Sequence, residues 1–483
     1  MNKIWQQLSK THKQVLLLIL LTLIPRLYRI NNPIADWHAF RQADTASVTR
    51  EYVKNGINLL EPHYHDLSNI QSGHENLAGY RMVEFPLING LIAGVLRLIP
   101  ALPLVLTSRI FSVLASLGTV YFLYNFTKLL TKNDKLANFV GLAFALIPYN
   151  IYYSRVVLPE PFLLLFSTGS LYFFLQAIKT KQIYTNPSFW LSAMLLGLAI
   201  LLKPFVVFLI PIYLVLYFQN QPIKKLFSWS WIAFGLIALL PFWWWRNWIL
   251  QFPSGIPASD WLFNSNLIRL RPAWFRWLFY ERLTKLILGF VGIIPVTLAF
   301  FTNKKPLKTV LWAWGIGLLT YLIVIATGNV QHDYYQVIFI PFISLLVGSG
   351  FYWLWEKATK KTILFKTMVI LLAITSWLLA WQQVKGYFNV NHWEYVEAGA
   401  AANKLLPPET KIIAPAFGDT IFLFQTNRTG WPIGFDIDNK ITMGAEYYLT
   451  TSYDDEARAL EAKYLTITKT DKYLLLDLRN QKP

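Results

Sequence analysis

The residues from Asp36 to Tyr52 read DWHAFRQADTASVTREY, with two aspartates, two arginines, a histidine and a glutamate in seventeen positions. A carboxylate in such a setting can take a proton from a hydroxyl, and an arginine can hold an anion. Asp44 sits in RQADTA, among small residues that start or extend a helix, where its carboxylate would be rigidly aimed. It is the expected general base. Asp36 follows NNPIA and is placed to cap that helix, because an N-cap aspartate accepts backbone N–H groups. It is the alternative base. Arg41 lies three residues before Asp44, a spacing at which the two would pair on one helix face.

More ionisable groups follow in separate clusters. The same loop carries His63, His65, Asp66, His74, Arg81 and Glu84. SRVVLPEP holds Arg155 and Glu160, LLKP holds Lys203, and NVQHDYY holds His332, Asp333 and Tyr334. Between them, Arg269, Arg271, Arg276 and Arg282 face only Asp260 and Glu281. Arginine stays charged and grips phosphate through two nitrogens, so these four are expected at a phosphate or at lipid headgroups. Glu84 and Glu160 stand near prolines at the edges of apolar runs, where an ionisable side chain is expensive and usually functional. They are expected to contact an acceptor or a metal; the plainer alternative is a Glu160–Arg155 bridge between helices. HYHD with His74 is a candidate divalent-metal group, although solvated loop histidines are the commoner case. Cysteine is absent, which excludes disulfides, thiolate metal sites and cysteine nucleophiles.

The elements that must position these groups are apolar. The 483 residues are 55% hydrophobic and 14% charged, against about a quarter charged in soluble chains. Runs of about twenty apolar residues recur, each long enough to cross a bilayer core. The expectation is a polytopic α-helical membrane protein with about eleven spans, near 14–30, 107–130, 136–153, 161–178, 189–202, 204–219, 228–248, 284–301, 309–327, 335–355 and 363–382. The first run is flanked by cations and lacks a small-residue cleavage site, so it reads as a retained span. Tryptophans in FWWWRNW (242–248) suit a membrane interface.

Lysine decides the status of Phe85 to Pro100. With that run excluded from the spans, one side collects Lys3, Lys10, Lys13, Lys128, Lys132, Lys135, Lys179, Lys181, Lys224, Lys225, Lys304, Lys305, Lys308, Lys357, Lys360, Lys361 and Lys366. That side is the cytoplasm by the positive-inside rule. Counting 85–100 as a span would throw every group after the first outside. The run is therefore expected to lie along the outer interface, within an external loop of about 31–106. The net charge of +18 has the same origin, and nucleic acid is not expected as a partner. The clusters above then share the external face. Two domains are expected: 1–384, carrying the spans, and 385–483, a small external α/β domain. In the latter, KIIAPA, AEYYLTT and KYLLLDL read as strands, and HWEYVEAGAAANKLL and DDEARALEAK as helices.

Four stretches, FRQADTA (40–46), RMVEFPL (81–87), SRVVLPEPF (154–162) and HDYYQVIFIPF (332–342), occur in an order and on a shared side that resemble the GT-C glycosyltransferases. The resemblance is to the family-39-like branch, which includes protein O-mannosyltransferases and lipid A aminoarabinose transferase, and it covers about 30–350. It implies the GT-C fold, a sugar donor on a polyprenyl phosphate, an acceptor outside the cytoplasm and an acidic base in the first loop. It implies no certain cofactor, a divalent metal being the open case. His332 and Tyr334 resemble family residues near the donor phosphate. Two departures stand out. Relatives carry an Asp-Glu pair early in the loop, whereas here Asp36 and Asp44 are separated by seven residues. The aminoarabinose transferase has a lysine after the glutamate of the second motif, whereas this chain has Phe85. Phosphate binding is thus expected from Arg41, Arg155, Lys203, Arg269, Arg271, His332 and Tyr334.

The expected activity is a hexosyl- or pentosyltransferase, inverting, in the cell membrane. The base deprotonates the acceptor, and cations stabilise the leaving phosphate. The rival readings are a transporter or flippase of lipid-linked sugars and a polymerase or ligase of lipid-linked glycans. A transporter would place its groups on broken helices near the midplane, usually in repeated halves, and no repeat is visible.

Overall fold

The computed structural model describes residues 10–226, 228–359 and 363–483. Lys3, Lys360 and Lys361, which contribute to the expected topology, lie outside the described residues. The apolar runs read from the sequence are helical, with breaks at their ends and interiors. The 136–153 run divides into Asp134–Leu146 and Pro148–Tyr153, because proline cannot continue the hydrogen-bond ladder. Pro204–Leu209 and Asp333–Phe339 are 3₁₀ segments that run into the helices Ile210–Asn220 and Ile340–Ala358. The 284–301 run is a wide π-type coil over Arg276–Ile287, then a turn with Gly289 and Phe290 at positive φ, then Ile293–Thr302.

Among the described residues, five helical stretches are long and apolar enough to cross a membrane: Leu104–Thr131, Glu160–Ile178, Leu307–Val324, Asp333–Ala358 and Ile363–Leu405. The chain is a helical membrane protein. Leu87–Leu98, within the run that lysine excluded, is a helix of 12 residues. At 1.5 Å per residue it spans roughly 18 Å, short of the ~30 Å hydrocarbon core.

The chain forms two compact units. One comprises Met1–Ile30, Ile110–Arg246 and Ser259–Gly386. Its packing depends on small residues. Gly348 and Gly350 lie on Ile340–Ala358, where an added Cβ would stand 2.5 Å from the Val140 Cα and 2.0 Å from the Pro295 oxygen. Two neighbouring helices can therefore approach the backbone of Ile340–Ala358 closely. The helices Glu160–Ile178 and Pro187–Leu202 are pinned by Ser170 and Ser192, whose hydroxyls meet at 3.0 Å.

The other unit comprises Asn31–Arg109, Asn247–Ala258 and Tyr387–Pro483. Its C-terminal segment begins at Tyr387, and residues 31–109 and 247–258 group with it. Five strands form one sheet in the order β2-β1-β3-β5-β4: β1 Lys411–Ile413, β2 Thr429–Trp431, β3 Ala445–Thr450, β4 Tyr464–Lys469 and β5 Leu474–Gln481. β1 is parallel to β2 and β3, and β5 is antiparallel to β3 and β4. Alternation sorts the side chains into two cores. Ile413, Tyr448, Leu474 and Leu476 pack with Ala457 and Leu460 of the Asp455–Lys463 helix. Ile412, Tyr447, Leu449 and Leu475 pack with Ala398 and Ala402 of the Trp393–Leu405 helix. KIIAPA is strand only to Ile413; β2 and β4 were not expected, because TGW is short and YLTITK alternates weakly. The first loop joins this sheet: Leu67 N–H donates to the Gly430 carbonyl at 2.8 Å, and Gly430 N–H to that of His65 at 2.9 Å.

Candidate active site

The ionisable residues assemble into two groups, one in each unit. The first is built on the helix Ala39–Asn55. This helix is polar on most faces, yet Arg41, Gln42, Asp44, Ser47, Thr49, Arg50 and Glu51 are all buried. Each buried charge or amide therefore needs a partner, and the partners come from distant parts of the sequence.

Asp44 is the most closely held. Arg81 pairs with Oδ2 at 2.9 Å, Gln71 donates to Oδ2 at 3.1 Å, and the Thr420 hydroxyl donates to Oδ1 at 2.7 Å. Arg41 pairs with Glu84. The expected Arg41–Asp44 pair is thus replaced: each residue meets an oppositely charged partner from the irregular stretch 81–84. Glu84 is the most open of these acids, its side chain 17% exposed.

Asp36 does not cap the helix. The N-cap is His38, in the left-handed region at φ 51°, and it makes no side-chain cap bond. Asp36 instead accepts from Gln42 Nε2 at 2.7 Å and pairs with Arg109 at 3.3 Å, both side chains of the ion pair being fully buried. Arg109 lies in the second turn of Leu104–Thr131, a helix of membrane-crossing length. The signal for it in the sequence was a single arginine near the head of an apolar span. Gln71 and Thr420 carried no such signal.

HYHD does not gather. The His63 ring bonds the Ala78 carbonyl at 2.7 Å, and the His65 ring lies buried against that of Thr420 at 3.2 Å. Among the described residues, no group of three or more His, Asp or Glu is placed to hold a metal. Burial drives His65 down to about 3, holding it neutral, and pushes the Asp66 carboxyl up to about 7. Burial also lifts Asp419, next to Thr420, to about 6.

The second group sits at helix breaks. Glu160 is the first residue of Glu160–Ile178, after Pro159, where the helix dipole favours a carboxylate. Lys203 caps the end of Pro187–Leu202, just before Pro204 starts the 3₁₀ segment. Their charged groups meet at 2.8 Å, and the Lys203 ammonium lies 5.4 Å and 5.3 Å from the Tyr334 and Tyr335 ring centres. The second Glu160 oxygen is buried without a hydrogen bond. Glu160 thus pairs with Lys203, and the alternative bridge to Arg155 is not made; Arg155 donates to the Arg29 carbonyl at 2.9 Å.

Asp333 receives the Tyr153 hydroxyl and faces Arg282 at 3.7 Å. His332 stacks on Tyr334, ring centres 5.3 Å apart, and meets Trp261 edge-on. Of the other loop arginines, Arg269 donates to the Phe263 carbonyl at 3.3 Å, Arg276 pairs with Glu281 at 3.6 Å, and Arg271 is exposed. The four do not converge on one point. Chemically, the first group offers carboxylates held by arginines, and the second a lysine flanked by aromatic rings.

The family described as dolichyl-phosphate-mannose-protein mannosyltransferase matches residues 16–253. No curated protein sequence matches the chain. Among solved structures, ArnT from Cupriavidus metallidurans bound to undecaprenyl phosphate superposes with a TM-score of 0.66 at 13% identity, over 97% of this chain and 98% of that one. The Archaeoglobus fulgidus oligosaccharyltransferase, in complex with Zn and sulfate, gives 0.57 at 11% identity over 94% and 71%. The arabinofuranosyltransferase AftD from Mycobacteria gives 0.57 at 12% identity over 97% of this chain and 42% of that one. At such identities the likeness establishes the fold alone, which the chain shares with these three structures.

Proposed function

We propose that this GT-C-fold, mannosyltransferase-like chain transfers a sugar from a polyprenyl-phosphate donor to an acceptor outside the cytoplasm. One observation carries the reading: the matched segment 16–253 contains Asp36, Arg41, Asp44, Glu84, Arg155, Glu160 and Lys203. The ArnT structure whose fold extends along nearly the whole chain holds undecaprenyl phosphate, the same class of lipid.

In the proposed reaction, a carboxylate takes the proton of an acceptor hydroxyl. The hydroxyl oxygen attacks the anomeric carbon, and the bond from that carbon to the phosphate oxygen breaks. Polyprenyl phosphate leaves. A single displacement of this kind inverts the anomeric configuration. Lys203 meets the anionic leaving group, with Tyr334 and His332 shaping its surroundings.

In this reading Asp36 is preferred to Asp44 as the base. Asp44 is tied by three side chains, from residues 71, 81 and 420, which is the environment of a residue that fastens segments together. The N-cap position is His38 and not Asp36. The partner of Asp36, Arg109, belongs to a helix of membrane-crossing length, which supports a place for Asp36 near the bilayer. Glu84 and Glu160 are assigned to acceptor contact and to orienting Lys203.

Eleven spans, a cytoplasmic N-terminus, an external first loop at 31–106 and an external domain at 385–483 complete the proposal. The lysine distribution supports this topology. The test is transfer of radiolabel from a polyprenyl-phosphate sugar to an acceptor fraction by the purified chain in liposomes. Donor movement between leaflets without transfer would replace the enzyme by a flippase.

A further inference from the structure

A cavity of about 230 Å³ lies between the first-loop segment near Ser68 and the turn that follows β2. It belongs wholly to the unit that contains the five-stranded sheet. Trp431 lines it, and its indole N–H is buried without any partner. Asn69, Glu75, Asp436 and Asn439 supply carboxamides and carboxylates at its edge, and Phe435 stands beside them 70% exposed.

The turn carrying Phe435 is unusual. Phe435 and Asp436 both take positive φ, at 60° and 47°, a region that aspartate tolerates but that a bulky side chain such as phenylalanine rarely enters. The conformation is held from both sides. Glu456 accepts the Phe435 N–H at 2.6 Å, and the buried Lys440 ammonium donates to the Gly434 carbonyl at 3.0 Å and to that of Phe435. Gly434 has no room for a side chain, since a Cβ there would lie 2.2 Å from Glu456 Oε1. Strain clamped in this way collects at binding sites, because a pre-set turn loses little freedom when it takes a ligand.

We propose that this cavity binds one neutral sugar ring. A pyranose or furanose presents several hydroxyls, each both donor and acceptor, and a C–H face that lies against an aromatic ring. The cavity offers amides and carboxylates at its edge and an exposed phenyl ring. Its volume is below the ~300–1,000 Å³ of drug-sized sites, which limits it to a single unit. Glu75 and Asp436 repel an anionic sugar such as a uronic acid. On the reading above, the bound unit is part of a glycan acceptor, so the acceptor class is carbohydrate.

The test is saturation-transfer difference NMR on the full chain in detergent, without donor. The panel is glucose, galactose, mannose, N-acetylglucosamine, arabinose and glucuronate. At least one neutral sugar should bind saturably. Asn439→Ala should weaken it by about two- to twelvefold, the range for one neutral hydrogen bond. Asn439 is exposed, so its variant keeps the fold. Absence of binding by every neutral sugar, binding of glucuronate alone, or affinity unchanged in Asn439→Ala overturns the proposal. Because no donor is present, binding without transfer activity would sink only the enzyme reading, and transfer without binding only this one.

Discussion

Replacing Asp36 by asparagine keeps its shape and one acceptor oxygen but removes the proton acceptor. Two effects follow. Loss of general-base catalysis lowers kcat by about 10²–10⁴-fold. Loss of the carboxylate also strands Arg109, whose side chain is fully buried at 3.3 Å from it, and breaking a buried pair from one side costs about 3–5 kcal/mol. Asp44→Asn has the same second effect, stranding Arg81 at 2.9 Å. Single variants therefore mix chemistry with stability. Double variants separate them, because removing both charges of a buried pair is close to neutral. Asp36→Asn with Arg109→Gln should regain the thermal stability lost in Asp36→Asn, yet remain about 10²–10⁴-fold slow. Asp44→Asn with Arg81→Gln should regain both stability and a kcat within about tenfold of the parent, if Asp44 only fastens the loop. The assay is radiolabelled transfer at saturating donor, with melting temperatures of the same detergent preparations. If the Asp44/Arg81 double variant is the inactive one and the Asp36/Arg109 double variant works, the base is Asp44. If both work, the proton goes to Glu84 or Glu160.

Lys203→Met should raise the apparent KM for the lipid donor by about 10–100-fold, the worth of a charge-assisted bond, whereas Arg269→Ala and Arg271→Ala should raise it only a few-fold. Wild-type donor kinetics in Lys203→Met would remove the phosphate from this lysine. For pH, the fold favours the protonated form of Asp66, at about 7 against an ordinary 3.8, so its stabilising contribution is full below about 4 and lost as pH rises through 7. The melting temperature of Asp66→Asn relative to the parent should therefore climb between pH 4 and pH 7, and a level difference would refute the burial argument. His65, held near 3 against 6.5, acts in the opposite sense, and His65→Gln should gain on the parent as pH falls from 6.5. In a chain without cysteine, the exposed substitutions Asn58→Cys and Arg458→Cys should react with an impermeant thiol reagent on intact cells, while Asp134→Cys should not. The reverse pattern inverts the topology.

What the sequence determined by itself was the part governed by solvent. Apolar runs of bilayer length specify a helical membrane protein, and the 85–100 run, which lysine placement set apart from the expected spans, holds a helix of 12 residues. The sequence pattern placed the strand Ala445–Thr450 within one residue, whereas Leu474–Gln481 begins two residues after the start of KYLLLDL and runs three beyond its end. The four quoted motifs carried the resemblance to the GT-C fold. Tertiary structure decided the pairing of charges. Asp44 has Arg41 three residues away on its own helix, yet it meets Arg81, Gln71 and Thr420, the last 376 positions on. Glu160 has Arg155 five residues before it, yet it meets Lys203. In both cases the nearer partner in sequence lost because a buried charge is stabilised by the geometry of whichever counter-charge the packed backbone brings within reach, and sequence distance does not enter that energy. The same holds for Asp36: the cap it was expected to make is a local bond, and a fully buried Arg109 offered a stronger one across the fold.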